Sequence, residues 1–115
     1  MAALSSLQIA SNSDNTIETD IDYHDIKKAS LILRSLNHKL RQQIIKLIGD
    51  SSKLTVTEIY IKLRLEQSVV SQHLAILRRS NIVTTNREGK FIYYRVNTQK
   101  IQSINQFVKS LLNKN

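Results

Sequence analysis

A mainly α-helical domain carrying one small β-hairpin is the fold class this sequence predicts. Three observations lead there. The 115-residue chain has no Pro and two Gly, Gly49 and Gly89, which favours long helices with few irregular connections. Apolar residues recur at helical spacing along residues 21–81 and again along 98–112, the mark of helices with one buried face. Between them, residues 82–96 change to a period of two and become β-branched and aromatic around Glu88-Gly89, which reads as a hairpin. About five helices and a two-stranded hairpin follow. The order helix, tight turn, second helix and basic hairpin over residues 55–96 is the plan of a winged helix-turn-helix, which sets one short helix in the DNA major groove.

Each element has its own signal. Residues 1–18 are rich in Ser, Asn and Ala and read as a flexible tail; residues 19–115 form the domain. A first helix is expected over residues 21–36, with Ala29, Ile32, Leu33 and Leu36 on one face. Ile26 and Leu31 lie off that stripe, and a helix apolar on more than one side is covered on more than one side. Asn37 is expected to cap a second helix running to residue 48. Its inner stripe is Leu40, Ile44, Leu47 and Ile48, its wet face includes Arg41, Gln42, Gln43 and Lys46, and Gly49 is expected as a left-handed cap. Thr55 and Glu58 have capping-box spacing, so a third helix starts at Val56, with Val56, Ile59 and Leu63 inward. Arg64, Leu65 and Glu66 make the turn. A fourth helix covers residues 67–79 with Val70, Leu74 and Leu77 inward, and Asn81 takes the left-handed position after it. Strands are expected over 82–87 and 90–96, with Ile92, Tyr94 and Val96 on one face and Phe91, Tyr93 and Arg95 on the other. In the last helix, residues 98–112, Ile101, Ile104, Val108 and Leu111 step by 3, 4 and 3, a coiled-coil-like seam. It is too short to stand alone. It is expected to pack with Ile26, Ala29 and Leu33 of the first helix at a two-fold dimer interface.

Composition narrows the function. The formal net charge is +8, unevenly placed. Residues 1–25 carry five carboxylates and no Lys or Arg, whereas residues 26–115 carry all 17 basic side chains against Asp50, Glu58, Glu66 and Glu88, a surplus of 13. A domain so basic attracts polyanions, because neutralising phosphates releases condensed counterions. The chain has no Cys, which excludes disulfides, thiolate metal sites and thiol redox sensing. There is no secretory leader pattern and no apolar run near the ~20 residues of a membrane span; a cytoplasmic location is expected. No side chains pair a nucleophile with a base and no Gly-rich loop cradles phosphate, so no enzyme and no cofactor are expected.

The candidate contacts with DNA are polar or basic. Gln67, Ser68, Ser71 and Gln72 occupy the outward turns of the fourth helix, where Ser and Gln read base edges or phosphates and Gln suits adenine. Val69 either touches a thymine methyl or fills the flank of the helix. Arg87 and Lys90 flank the hairpin tip, where a cation meets phosphate or a narrow minor groove. Thr55 and Thr57 sit at the positive end of the third helix, a natural phosphate contact. Arg78 is a candidate backbone contact, as are Arg41 and Arg79. His73 falls near the core side and reads as structural or phosphate-adjacent rather than as a metal ligand. Asp20, Asp22, His24 and Asp25 read as an acidic helix start, favourable with the dipole, and not as a metal site.

The segments Leu36–Arg41, Ser68–Leu74, Leu77-Arg78, Ile82-Val83 and Arg87–Val96 together resemble the ArsR/SmtB family of bacterial and archaeal repressors over about residues 30–96. The resemblance implies a homodimeric winged helix whose first and last helices form the dimer interface, and repression relieved by an inducer. Lys39 stands where the family usually has Pro, and Glu66 where a Ser often caps the recognition helix; a weaker cap is the expected result. Metal- or arsenic-sensing members use a Cys pair on the third helix, absent from residues 54–59, or Asp and His on the last helix, absent from residues 98–115. Metal sensing is therefore not carried over, and the effector stays open. The leading expectation is a sequence-specific repressor binding double-stranded DNA at a palindromic operator as a homodimer, with no membrane partner. The alternative is a winged-helix protein-interaction module with only non-specific DNA affinity.

Overall fold

The structure, a computed structural model, describes residues 19–115; the expected tail over residues 1–18 lies outside them. Five helices and one hairpin follow in the order α1 (Tyr23–Leu36), α2 (Lys39–Ser51), α3 (Val56–Leu63), α4 (Gln67–Arg79), β1 (Val83–Glu88), β2 (Phe91–Val96) and α5 (Thr98–Leu111).

The ends of the helices show why they stand where they do. The Asp22 carboxylate accepts from the Asp25 amide at 3.1 Å, so α1 begins at Tyr23, two residues after the expected start. Asn37 is not the cap of α2. Its own amide donates to the Leu33 carbonyl at 3.0 Å, which closes α1, and His38 takes the capping role. His38 Nδ1 accepts from the amides of Leu40 (3.2 Å) and Arg41 (3.4 Å), doing the work usually given to a Ser or Asp oxygen. Gly49 is not a left-handed cap either: α2 runs through it to Ser51, and Ser52 turns the chain with φ +70°. A Cβ at Gly49 would meet nothing nearer than Val96 Cγ2 at 3.9 Å.

The helix-turn-helix follows the sequence closely. Thr55 and Glu58 form a reciprocal capping box, Glu58 N to Thr55 Oγ1 at 3.2 Å and Thr55 N to Glu58 Oε1 at 2.9 Å. Arg64 adopts the left-handed conformation, φ +58°, and the Leu65 amide returns to the Tyr60 carbonyl at 3.0 Å. Glu66 makes no side-chain cap bond, in keeping with the weak cap expected of glutamate there. After α4, Asn81 is left-handed at φ +60°.

The hairpin is antiparallel and in register from Val83↔Val96 to Glu88↔Phe91. Its connection is Gly89-Lys90, one residue later than expected, with Gly89 at φ +64°; Gly first in a two-residue loop matches the right-handed twist of the strands. Lys90 thus belongs to the turn. Leu54 pairs with Tyr94 through mutual backbone bonds of 3.1 and 2.7 Å, which ties the root of the wing to the segment before α3.

The core gathers Ile44 and Ile48 of α2, Leu54, Ile59 of α3, Val70, Leu74 and Leu77 of α4, and Ile82 and Val83 at the start of the wing, with Ile32 and Leu36 of α1 partly buried against it. Tyr94 and Val96 cover it from β2, and Ile101 and Ile104 from α5. Ile92 shares their face of the strand but lies beyond the body of the domain and stays exposed. No residue of α5 is fully buried.

Candidate nucleic-acid interface

Residues of α4 divide cleanly by periodicity. Gln67, Ser68, Ser71 and Gln72 are exposed and point away from the Val70–Leu74–Leu77 stripe, while Val69 is half-buried at the edge. Further along the same helix, Arg78 and Arg79 are exposed and line an open groove of about 430 Å³ with Leu74, Ala75 and Tyr94. This groove joins the recognition helix to the wing. At the wing tip Arg87 and Lys90 are exposed, and Arg87 Nε donates to the Gly89 carbonyl at 3.1 Å. Thr57 is exposed on the first turn of α3, whereas the Thr55 hydroxyl is engaged in the cap, accepting from Glu58 N and donating to Glu58 Oε1 at 3.1 Å. The expected contact positions therefore fall on three elements, α3, α4 and the wing, with the Thr55 hydroxyl and the Glu58 amide already engaged in the cap.

Behind this face lies a junction the sequence reading missed. Arg41, expected on the wet face of α2, is buried. Its guanidinium donates to the Ser35 carbonyl (Nε, 2.6 Å) and the Arg34 carbonyl (Nη2, 3.2 Å), and Nη1 lies 3.2 Å from His73 Nδ1. These carbonyls belong to the last turn of α1, which has no intrahelical partners for them. Arg41 thus links the end of α1, the start of α2 and the recognition helix. A guanidinium only donates, so His73 accepts through Nδ1 and is the neutral tautomer protonated on Nε2. The His38 and His73 rings stand 4.8 Å apart. His73 is tied into this junction by its contact with Arg41.

Burial first, then electrostatic interactions with His38 and Arg41, hold His73 below its ordinary pKa of 6.5. The folded state resists a proton that the unfolded chain accepts. Stability contributed by neutral His73 is therefore present above pH 6.5 and falls as the pH drops through 6.5 toward the lower folded value. Thermal melts between pH 8 and 5 are expected to show this acid-side loss, and His73→Gln to reduce it. Equal acid sensitivity in both proteins would remove His73 as its source.

The second missed feature is Glu88. It receives hydrogen bonds from Lys53 on Oε1, and from Asn86 (2.9 Å) and Arg95 (3.1 Å) on Oε2. Lys53 Nζ also lies 4.4 Å from the centre of the Tyr93 ring. The hydrogen bond from Lys53 and then that from Asn86 are the main causes holding the Glu88 carboxyl at about 2. One signal was available in the sequence: Glu88 is the sole carboxylate from residue 67 to the end.

The arrangement of a polar recognition helix beside a basic wing matches known proteins. Residues 38–85 match the model for "bacterial regulatory protein, arsR family". The chain is 33% identical over 88 residues to the transcriptional repressor PagR of Bacillus anthracis, covering 76% of this chain and 88% of PagR. The chain belongs to the ArsR family. It is also 32% identical over 84 residues to the transcriptional activator HlyU of Vibrio cholerae, covering 73% of this chain and 77% of HlyU. The crystal structure of PagR superposes with a TM-score of 0.62 at 32% identity over 76% of this chain and 99% of that one. This ArsR-family chain is accordingly a winged-helix, DNA-binding transcriptional regulator, and the fold class read from the sequence holds for the protomer.

Proposed function

We propose that this ArsR-family protein is a repressor that binds an imperfect palindrome as a homodimer. The observation carrying this reading is the exposure of Gln67, Ser68, Ser71 and Gln72 on α4 together with that of the basic wing-tip residues Arg87 and Lys90. Recognition-helix side chains supply sequence preference, while Thr57, Arg78, Arg87 and Lys90 supply phosphate contacts. Val69 lies close enough to the edge to meet a base methyl.

Pairing of two chains is supported by the apolar surface left on α1 and α5. Ile26 is 55% exposed, Phe107 49% and Leu111 63%. Ala29 and Leu33 of α1 and Ile104 of α5 line a shallow apolar cleft beside Phe107. A second copy covers this face and places two recognition helices in successive major grooves ~34–36 Å apart. PagR is named a repressor and HlyU an activator; repression here requires the operator to overlap the promoter. No described helix is long and apolar enough to cross a membrane, and the protein is assigned to the cytoplasm as a non-catalytic regulator with an unidentified effector.

Selection of bound sites from a random duplex pool at near-physiological salt tests this. Enrichment of a palindrome is the expected result; retention of DNA without enrichment would favour a protein-interaction module whose charge binds phosphate alone. Against a selected site, Gln72→Ala is expected to flatten base preference at one position per half-site, worth about 1–3 kcal/mol. Lys90→Gln is expected to weaken all duplexes alike and to lower the salt slope by about one per wing. Unchanged preference in the Gln72 variant would refute this docking register.

A further inference from the structure

The C-terminal half of the DNA-facing surface contains a carboxylate that simple charge attraction would exclude. Between residue 67 and the end of the chain, eight Lys and Arg side chains are joined by Glu88 alone. Glu88 ends β1 next to the turn that carries Lys90, where a bare carboxylate would repel phosphate. It is not bare. Lys53, from the segment between α2 and α3, and Arg95, from β2, both form ion pairs with it. Asn86 completes the arrangement by donating to Glu88 and accepting from Arg95 Nε at 3.1 Å.

We propose that Glu88 is a positioning and specificity-determining residue for DNA: its carboxylate clamps the wing to Lys53 and withholds Lys53 and Arg95 from the phosphates, so that the wing meets DNA in one orientation through Arg87 and Lys90. This rests on the DNA-binding reading above. The Lys53 link matters most, because it is a side-chain tie between the wing and the body of the domain, added to the Leu54–Tyr94 backbone pair at the wing's root. The low carboxyl pKa, about 2, keeps the clamp ionised at any pH where the protein meets DNA. Withholding two cations lowers affinity for arbitrary DNA, since each phosphate neutralised contributes to salt-dependent binding irrespective of sequence. Orientation of the wing bears instead on the cognate site, where register matters.

Two variants separate positioning from charge. Glu88→Gln adds one positive charge to the surface and Lys53→Gln removes one. If charge alone mattered, they would shift affinity for all DNA in opposite directions and leave the ratio of selected to unrelated duplex unchanged. The clamp requires both to lower that ratio, by at least about fivefold out of the 10³–10⁷ typical of specific binders. Glu88→Gln should also steepen the salt slope for unrelated duplex by about one to two per protomer. The free protein supplies an independent readout. The Lys53 ε-methylene protons, beside the Tyr93 ring, should be shifted upfield in NMR spectra of the wild type and return toward ordinary values in Glu88→Gln. Ratios unchanged in both variants would overturn the positioning role, and ordinary Lys53 shifts in the wild type would overturn the clamp itself. Wild-type protein that selects no site while showing the Lys53 shift would overturn the DNA assignment while leaving the clamp in place.

Discussion

Replacing Arg41 by Met is expected to lower folding stability by about 3 kcal/mol, because a buried, charged hydrogen-bonding hub is lost and its partners stay behind. The Arg34 and Ser35 carbonyls at the end of α1 would lose the guanidinium donors that satisfy them. His73 would lose its donor at Nδ1. Met fills part of the space without any of these bonds. For a domain of this size the loss corresponds to a fall in melting temperature of roughly 12–24 °C. Denaturant unfolding at fixed protein concentration checks it, since dimerisation would make the midpoint concentration-dependent. A loss within about 0.5 kcal/mol, the range of an ordinary surface substitution, would show that Arg41 is not a structural hub. Arg41→Lys should fare poorly as well: an ammonium lacks the planar fork that reaches two carbonyls and a ring nitrogen at once.

The second large effect is expected in DNA binding. Ile26→Asp should leave the protomer folded, because this side chain is 55% exposed and outside the described core. At an interface between copies, however, it would place an unpaired carboxylate against apolar surface, which is strongly unfavourable. Sedimentation is expected to show a monomer. Affinity for the palindrome should fall by about 10²–10⁴-fold, the contribution of linking two half-site contacts. The salt slope should drop by about half as phosphate contacts from the second protomer disappear. A variant that sediments as a monomer yet binds the palindrome at full strength would refute dimeric recognition. One that stays dimeric would move the interface elsewhere on the α1–α5 surface.

The fold was legible where local rules act within a few residues. The Thr55–Glu58 capping box, the left-handed Asn81 and the stripe Val70, Leu74 and Leu77 all stand as the spacing requires. The errors sit where two elements compete for one residue or where a distant contact decides. Asn37 is a good cap by type, but α1 consumes it, and a histidine nitrogen serves α2 instead. Gly49 suits a helix end, yet α2 continues until the chain must turn toward the Leu54–Tyr94 pair. The exposed positions of the proposed DNA face were readable because they are what remains once the apolar stripe of α4 is assigned inward.

Sequence alone determined the order of elements, the inward faces, the surplus of basic charge and the absence of thiol chemistry, because propensity, periodicity and composition are local or additive. Tertiary structure alone decided the roles of Arg41, His73 and Glu88. Arg41 lies 32 positions from His73, and Lys53 lies 35 from Glu88. Whether a polar side chain is solvated surface or a buried cross-link depends on which helix or strand is folded against it, and no spacing rule spans that separation.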